Sequence, residues 1–221
     1  MIQMVVFDMA GTTVNEDNVV YKTLQAAVNA AGYEFTLDQV LAEGAGKEKL
    51  QAVRDILRSG GDFDESEAQE IYADFMIRLK AAYADLHVTP QDGAGEVFEA
   101  LKARGIRVIL NTGYNLETAQ SLLKKLGWEE GKQIDGLVTA SQVENSRPAP
   151  DMIFLARDRF GIKSAAEIVK VGDSIIDIEE GQSAGCGLNV GITTGAHTET
   201  QLLTAKPDHV IHHLAEILDL V

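Results

Sequence analysis

The stretch at residues 4–14, Met-Val-Val-Phe-Asp-Met-Ala-Gly-Thr-Thr-Val, sets the beginning of the fold. Its apolar run up to Phe7 predicts a buried strand, and the small residues after Asp8 predict a loop. A phosphorus centre can closely approach a strand-end carboxylate that small residues follow, and carboxylates act as covalent nucleophiles in phosphoryl transfer. Asp8 is therefore a candidate nucleophile, although an isolated aspartate in such a place more often caps a helix or closes a turn.

The overall composition is typical of a folded globular protein, since 45% of its 221 residues are apolar and 24% are charged. The 34 acidic and 19 basic residues give a formal net charge of −15. This charge argues against nucleic acid and anionic membranes as partners, because both bind clustered cations. It does not exclude a small anionic substrate, because a local site can invert the overall field. The single cysteine, Cys186, is typical of a reducing compartment, and we expect a cytoplasmic protein.

Two regions of different pattern follow the N-terminal stretch. Residues from about 18 to 86 have apolar residues at helical spacing and no convincing strand, which predicts a small helical bundle. Beyond Pro90, short apolar runs alternate with helical patterns, which predicts βαβ units and a parallel sheet. We therefore expect an α/β core of residues 1–16 and 88–221, interrupted by a helical insertion of residues 17–87.

Two further carboxylates follow a predicted strand near residue 171. Asp173 and Asp177 lie four residues apart at the expected start of a helix, which places them on one face. Parallel sheets bind ligands outside the carboxyl ends of their strands, so Asp8 should meet this pair. The three carboxylates would form an oxygen-rich site suited to Mg²⁺. Taken singly, Asp173 is explained as a helix cap and Asp177 as a first-turn residue that favours the helix dipole.

Candidate groups for holding phosphoryl oxygens flank these carboxylates. Backbone N–H groups in the loop of Thr12 can hold such oxygens, as can the Thr112 hydroxyl and the Gly113 backbone after the next strand. Arg147 offers a rigid cation for an anionic substrate and for the Asp8 carboxylate. Alone, the Thr112 segment is an ordinary strand-to-helix turn and Arg147 a surface arginine.

The four elements in this order resemble the haloacid dehalogenase superfamily of hydrolases. Its motifs are a nucleophilic aspartate before Gly-Thr, a strand-end Ser or Thr, a Lys or Arg, and an acidic pair. The matching positions are Asp8, Thr112, Arg147, Asp173 and Asp177. The resemblance implies a Rossmann-like parallel sheet with the helical insertion as a cap. It also implies one Mg²⁺ held by Asp8, the Ala10 backbone carbonyl, Asp173 and Asp177.

Position 10 separates this chain from the phosphatases of that superfamily. They carry there an aspartate that protonates the leaving alcohol and then activates water, and Ala10 can do neither. The run from Asp8 to Val14 and the pair Arg147-Pro148 instead resemble the phosphonoacetaldehyde hydrolase branch, which also has alanine there. Enzymes of that branch cleave a P–C bond after a cap lysine condenses with the substrate aldehyde, so that the carbon leaves as an enamine.

The resemblance implies that a lysine of the insertion forms this imine. The branch has Gly-x-x-Lys in a loop leading into a helix, and both Gly46 with Lys49 and Gly44 with Lys47 satisfy the spacing. We prefer Lys49 because the residues downstream also match. Lys47 is then a candidate substrate contact and a cation that would lower the pKa of its neighbour.

The leading hypothesis is a Mg²⁺-dependent hydrolase of a small phosphonate, with an aspartyl-phosphate at Asp8 and an imine at Lys49. A phosphate monoester phosphatase of the same superfamily is the alternative, and a non-catalytic binding protein on this scaffold is a third. Met9 and Ala52 stand where the branch has Trp and His, so the chain resembles a phosphonatase-like subgroup. A homodimer is compatible with the sequence.

Overall fold

The computed structural model describes residues 1–85 and 88–221 as an α/β protein. Its strands are β1 (Met4–Asp8), β2 (Val14–Asn15), β3 (Thr89–Pro90), β4 (Arg107–Thr112), β5 (Gly136–Thr139), β6 (Ile168–Gly172), β7 (Leu188–Ile192) and β8 (His209–Ile211). Six of them form one parallel sheet in the order β5-β4-β1-β6-β7-β8. The predicted Rossmann-like parallel fold is confirmed.

Helices cover the sheet and fill the insertion. They are α1 (Val19–Ala30), α2 (Leu37–Gly44), α3 (Lys49–Gly60), α4 (Glu65–Asp85), α5 (Ala94–Ala103), α6 (Leu116–Leu126), α7 (Asp151–Arg159), α8 (Ile175–Ala184) and α9 (Glu199–Thr204), with a short 3₁₀ helix at Leu214–Asp219. The first four lie between β2 and β3, in the region predicted to be a helical bundle. None of the helices among the described residues is both long enough and apolar enough to cross a membrane.

Strand β1 lies in the middle of the sheet because its side chains are suited to burial on both faces. All five of its residues are buried, with Phe7 fully so. The Phe7 ring packs 5.6 Å from that of Phe98 on α5, and Phe98 in turn packs against Trp128. Strand β1 pairs with β4 on one side and with β6 on the other. The carboxyl ends of these three strands consequently lie side by side.

A two-stranded antiparallel ribbon connects the sheet to the helical insertion. Val14 pairs with Pro90, and Asn15 pairs with Thr89, so the chain leaves and returns at the same point. The predicted division into residues 1–16 with 88–221 and residues 17–87 stays a prediction, and its second boundary falls partly outside the described residues, at 86–87. We call α1 to α4 the helical insertion below.

Candidate active site

The strand ends bring the predicted residues of the core together. Asp8 is the last residue of β1, Thr112 is the last residue of β4, and Asp173 directly follows β6. Because β4, β1 and β6 are neighbours in the sheet, residues separated by more than 160 positions in the chain, such as Thr12 and Asp173, come into contact. This is the crevice in which open parallel sheets bind their ligands.

Three buried carboxylates form the acidic part of this crevice. Oxygens of Asp8, Asp173 and Asp177 all lie within 4.8 Å of one another. Helix α8 begins at Ile175 with Ser174 in the capping position, so Asp173 is not its cap, and its carboxylate is available to the site. Asp177 lies in the first turn of that helix, as the spacing predicted.

Hydrogen bonds hold the Asp173 carboxylate in place. Its Oδ1 accepts a hydrogen bond from the Thr12 hydroxyl at 3.1 Å, and its Oδ2 accepts one from the Ala196 backbone N–H at 2.6 Å. Gly11 passes close by, because a Cβ there would lie 2.6 Å from Oδ2 of Asp173. Thr12, predicted as a substrate contact, therefore also positions a candidate metal ligand.

Burial and neighbouring charges shift the pKa values of the three carboxylates in different directions. Burial, together with the charges of Asp8 and Asp177, raises the pKa of Asp173 well above its ordinary value. Burial also raises the pKa of Asp8 in spite of the nearby Arg147. Asp177 differs, because Arg147 and Lys170 outweigh its burial and lower its pKa. A divalent cation would offset the mutual repulsion of the three carboxylates, and the donor set is all oxygen, so the residues fit Mg²⁺.

Arg147 is the central cation of the site rather than a surface residue. Its side chain is fully buried, and its Nη1 lies 2.7 Å from Oδ1 of Asp8 and 2.9 Å from Oδ1 of Asp177. Its Nη2 donates a hydrogen bond to the Asn111 carbonyl at 2.8 Å. Arg147 thereby ties the end of β1 to the first turn of α8.

Three further buried residues support Arg147, and sequence reasoning missed them. Nζ of Lys170 lies 2.8 Å from Oδ1 of Asp177 and 3.3 Å from Oε2 of Glu180, which also pairs with Arg147 at 3.1 Å. The Asn111 side chain donates to Oε1 of Glu180 at 2.8 Å. Lys170 could have indicated this buried network from the sequence, because it is a charged residue within the apolar run of β6.

The remaining predicted core contacts lie beside the acidic cluster. Thr112 is buried, and its hydroxyl accepts a hydrogen bond from the Tyr114 N–H at 3.3 Å. Gly113 lies directly beneath the insertion, because a Cβ there would lie 2.8 Å from the carbonyl oxygen of Lys47. Ala10 forms a bridge with Val14 in the loop after β1.

Lys49 is the predicted lysine that the structure buries in the site. It is 7% exposed, and its Nζ donates to the Lys47 carbonyl at 3.0 Å. The rings of Tyr21 and Tyr114 lie 5.2 and 5.4 Å from Nζ. Burial is the largest influence on the Lys49 amine and lowers its pKa, although Asp8 is close enough to oppose this shift.

Lys47 points elsewhere. Its Nζ forms an ion pair with Asp55 at 2.7 Å, and its side chain is partly exposed. Burial and the charge of Arg147 lower the pKa of Lys49, and the predicted contribution of Lys47 to this shift stays a prediction. Its role as a substrate contact stays a prediction, since the structure brings only its backbone carbonyl to Lys49.

Comparison with known proteins agrees with this geometry. A family model described as haloacid dehalogenase-like hydrolase matches residues 2–185. A phosphonoacetaldehyde hydrolase of Bacillus cereus is 30% identical over 212 residues, which cover 88% of this chain and 77% of that protein. One of Parabacteroides distasonis is 35% identical over 136 residues, which cover 62% of this chain but only half the length of that protein.

Solved structures share the fold. A hydrolase from Pseudomonas syringae superposes with a TM-score of 0.87 at 20% identity, covering 99% of both chains. A phosphonoacetaldehyde hydrolase-like protein from Oleispira antarctica has a TM-score of 0.84 at 24% identity, covering 99% of this chain and 91% of that one. With the acidic strand ends and the matched residues, these similarities show that the chain belongs to the haloacid dehalogenase-like hydrolases and resembles their phosphonoacetaldehyde hydrolases.

Proposed function

We propose that this hydrolase cleaves the P–C bond of a small phosphonate that carries an aldehyde, through a phosphoenzyme at Asp8 and an imine at Lys49. The observation that carries the proposal is the burial of the Lys49 amine against two tyrosine rings, within electrostatic range of Asp8. A lysine forms an imine as the neutral amine, and burial favours that form. The names of the matched relatives support the same substrate class.

Asp8 would attack the phosphorus atom. Arg147 holds Oδ1 of Asp8 at 2.7 Å, which leaves Oδ2 as the oxygen that would form the new bond. Asp8, the Ala10 carbonyl, Asp173 and Asp177 would hold Mg²⁺, which when bound offsets the repulsion between these carboxylates and an anionic substrate. The Thr112 hydroxyl and the Gly113 backbone would hold the phosphoryl oxygens.

Lys49 would activate the carbon side of the scissile bond. Its amine adds to the aldehyde, water leaves, and an iminium forms. The electron pair of the P–C bond then moves toward the iminium nitrogen and gives an enamine, while phosphorus is transferred to Asp8. Protonation of the enamine carbon and hydrolysis of both covalent adducts release aldehyde and phosphate. No acid is needed on the leaving group, which explains how Ala10 can occupy its position.

The test is borohydride trapping during turnover of phosphonoacetaldehyde, with peptide mapping of the adduct. We expect one labelled peptide containing Lys49, and loss of both label and phosphate release in Lys49→Ala. Lys22→Ala, which removes an exposed lysine of the same insertion, is the matched control and should behave as the unmodified protein. Phosphonate cleavage by Lys49→Ala at an undiminished rate would refute the imine at this residue.

Two other outcomes identify the alternatives. A label on Lys47 would keep the imine mechanism but move it to the other lysine of the loop. Release of phosphate from a panel of phosphate esters, without release from the phosphonate and without trapping, would instead identify a phosphatase. The partial exposure of Lys47 and its ion pair with Asp55 weigh against an imine at that lysine. The methyl group of Ala10 weighs against the phosphatase.

A further inference from the structure

Glu16 is a buried carboxylate that the mechanism above leaves without a role. It follows β2 directly and is 3% exposed. Its Oε2 accepts hydrogen bonds from the Tyr114 hydroxyl at 2.9 Å and from the Tyr83 hydroxyl, and the two hydroxyls lie 3.1 Å apart. Its Oε1 is buried and has no hydrogen-bond partner among residues 1–85 and 88–221. We call Glu16, Tyr83 and Tyr114 the carboxylate–tyrosine cluster.

A purely structural role does not account for this arrangement. A buried polar atom without a partner reduces stability, and a buried carboxylate reduces it further if it is ionised. A glutamine or an apolar side chain would avoid that cost. The unpartnered oxygen therefore indicates a group that meets something during the reaction.

The cluster lies on the lysine side of the site. Tyr114 connects the cluster to Lys49, because its hydroxyl donates a hydrogen bond to Glu16 and its ring lies 5.4 Å from Nζ of Lys49. The charge of Lys49 lowers the pKa of Glu16, and the charge of Glu16 raises the pKa of Lys49. Tyr114 follows β4 of the sheet, whereas Tyr83 lies on α4 of the helical insertion, so the cluster forms only when the insertion and the sheet come together.

Among residues 1–85 and 88–221, the other acid–base groups near Lys49 already have partners. Asp8 is paired with Arg147 and is the proposed nucleophile. Helix α3 carries Ala52 one turn beyond Lys49, and this buried methyl group cannot transfer a proton. Imine formation nevertheless needs a proton to leave the amine and another to reach the departing oxygen.

We infer that Glu16, held by Tyr83 and Tyr114, is the general acid–base residue for imine formation at Lys49. The inference rests on the proposed function. Its basis is the unpartnered, buried Oε1 together with the shared contact through Tyr114.

The Glu16 carboxylate takes one proton from the Lys49 ammonium, and the resulting amine adds to the aldehyde carbon. The nitrogen then gives a second proton to the former carbonyl oxygen, which yields a neutral carbinolamine. Protonated Glu16 returns its proton to that hydroxyl, the C–O bond breaks, and water leaves as the nitrogen lone pair forms the C=N bond. Glu16 ends as the carboxylate, ready for the reverse sequence when the product imine is hydrolysed.

The electrostatics of the cluster favour this exchange. Burial raises the pKa of Glu16, against the opposing effects of Tyr83, Tyr114 and Lys49, while Asp8 adds to the rise. Burial lowers the pKa of Lys49, against Asp8, Glu16 and Glu48, while Arg147 adds to the fall. The two pKa values move toward each other, and a smaller difference makes proton transfer between the groups less costly.

The experiment is a timed borohydride quench with phosphonoacetaldehyde from pH 5 to 9, with the adduct measured by intact mass. We expect Glu16→Gln to lower the rate of imine formation by roughly 100-fold and to flatten its acidic limb. Asp17→Asn is the matched control, since it removes a neighbouring but exposed carboxylate and should leave rate and profile unchanged. Circular dichroism checks that each variant is folded.

Tyr83→Phe supplies a second readout, the pH at which the acidic limb falls. This pH would not shift if Glu16 had only a structural role. The Tyr83 hydroxyl lowers the pKa of Glu16, so its removal should shift the acidic limb to higher pH. Trapping by Glu16→Gln at the unmodified rate and profile would overturn the inference, as would an unshifted limb in Tyr83→Phe should Glu16→Gln not fold. If the unmodified protein forms no adduct at all, the proposed function fails as well, which distinguishes the two failures.

Discussion

Asp8 shows how a single residue acquires its chemistry from its surroundings. Burial raises the pKa of its carboxyl, whereas Arg147, paired with it at 2.7 Å, opposes that rise. Arg147 is itself held by Asp177 and Glu180. The nucleophile can therefore be changed without leaving the arginine as an unpaired buried charge, which would be the main threat to stability.

We predict that Asp8→Asn abolishes phosphate release, by roughly 10³-fold or more, and leaves the protein folded. An amide cannot form the phosphoenzyme, but it keeps the size of the side chain. The pKa of Asp8 is raised in the folded protein, so an ionised Asp8 lowers the free energy of unfolding at any pH above its unfolded-state pKa. Asparagine carries no charge and removes this loss of stability. The melting temperature should accordingly fall by no more than roughly 5 °C.

The measurement combines phosphate release with thermal unfolding. Asp17→Asn serves again as the control for a carboxylate change on the surface. Substantial turnover by purified Asp8→Asn would exclude Asp8 as the nucleophile.

Between α2 and α3, a short loop carries Lys49 to the core, and its glycine determines how closely the loop can approach. Gly46 has φ = +73°, and its N–H donates to the Tyr21 hydroxyl at 3.0 Å. A Cβ on Gly46 would lie 2.3 Å from Cγ2 of Ile176 and 2.4 Å from Oγ of Ser174, both at the start of α8. Gly113 provides the opposite surface, beneath the Lys47 carbonyl.

We predict that Gly46→Ala impairs turnover by roughly 10-fold or more, because the added methyl group pushes the loop, and with it Lys49, away from Asp8. Gly32→Ala is the matched control. Gly32 also has a positive φ, at +103°, but a Cβ there would meet nothing within 4 Å. Both variants should lose some stability from backbone strain, whereas only Gly46→Ala should lose activity.

Steady-state kinetics and thermal unfolding of both variants are the measurements. Equal activity losses in the two would show that strain, rather than the approach of the loop to α8, is responsible, and would contradict the prediction.

Across the whole molecule, a large negative charge coexists with a buried cluster of carboxylates. The formal net charge is −15, and Asp8, Asp173 and Asp177 lie together in the interior. For Asp8 and Asp173 the folded-state pKa is raised, so at these two carboxyls the folded state holds protons to higher pH than the unfolded chain does. Their contribution to stability therefore decreases as the pH rises from the unfolded value of 3.8 through the raised values.

We predict that Mg²⁺ stabilises the protein and does so more strongly as the pH rises. A cation bound only by the folded state adds stability by mass action, about 2.7 kcal/mol at a concentration 100 times its dissociation constant. For a chain of this size, that corresponds to roughly 5–10 °C in melting temperature. Deprotonation of Asp8 and Asp173 should enlarge the effect between pH 5 and 8.

Thermal unfolding with and without MgCl₂ over this range tests the prediction. Asp173→Asn should lose most of the Mg²⁺ effect, whereas Asp62→Asn, a change of an exposed carboxylate on the insertion, should retain it. Full hydrolytic activity in excess chelator would count against a resident metal.

Local features of the sequence were sufficient to predict the elements and the core of the site. The apolar run before Asp8 forms β1, and Lys49 begins α3 after Gly46. Each depends on residues a few positions apart, whose backbone preferences and burial act within one element. The parallel sheet then brings Asp8, Thr112 and Asp173 to one edge, because the carboxyl ends of neighbouring parallel strands lie side by side.

Tertiary packing alone decided the polar partners inside. The sequence determined that Lys47 and Lys49 stand near each other, but packing paired one with Asp55 and buried the other between two tyrosine rings. Packing likewise placed Lys170 against Asp177, and Glu16 against Tyr83 and Tyr114, which lie 67 and 98 positions away. No local periodicity encodes such contacts, because they form only where the folded chain excludes water from both partners at once, so that their mutual attraction offsets the cost of burying them.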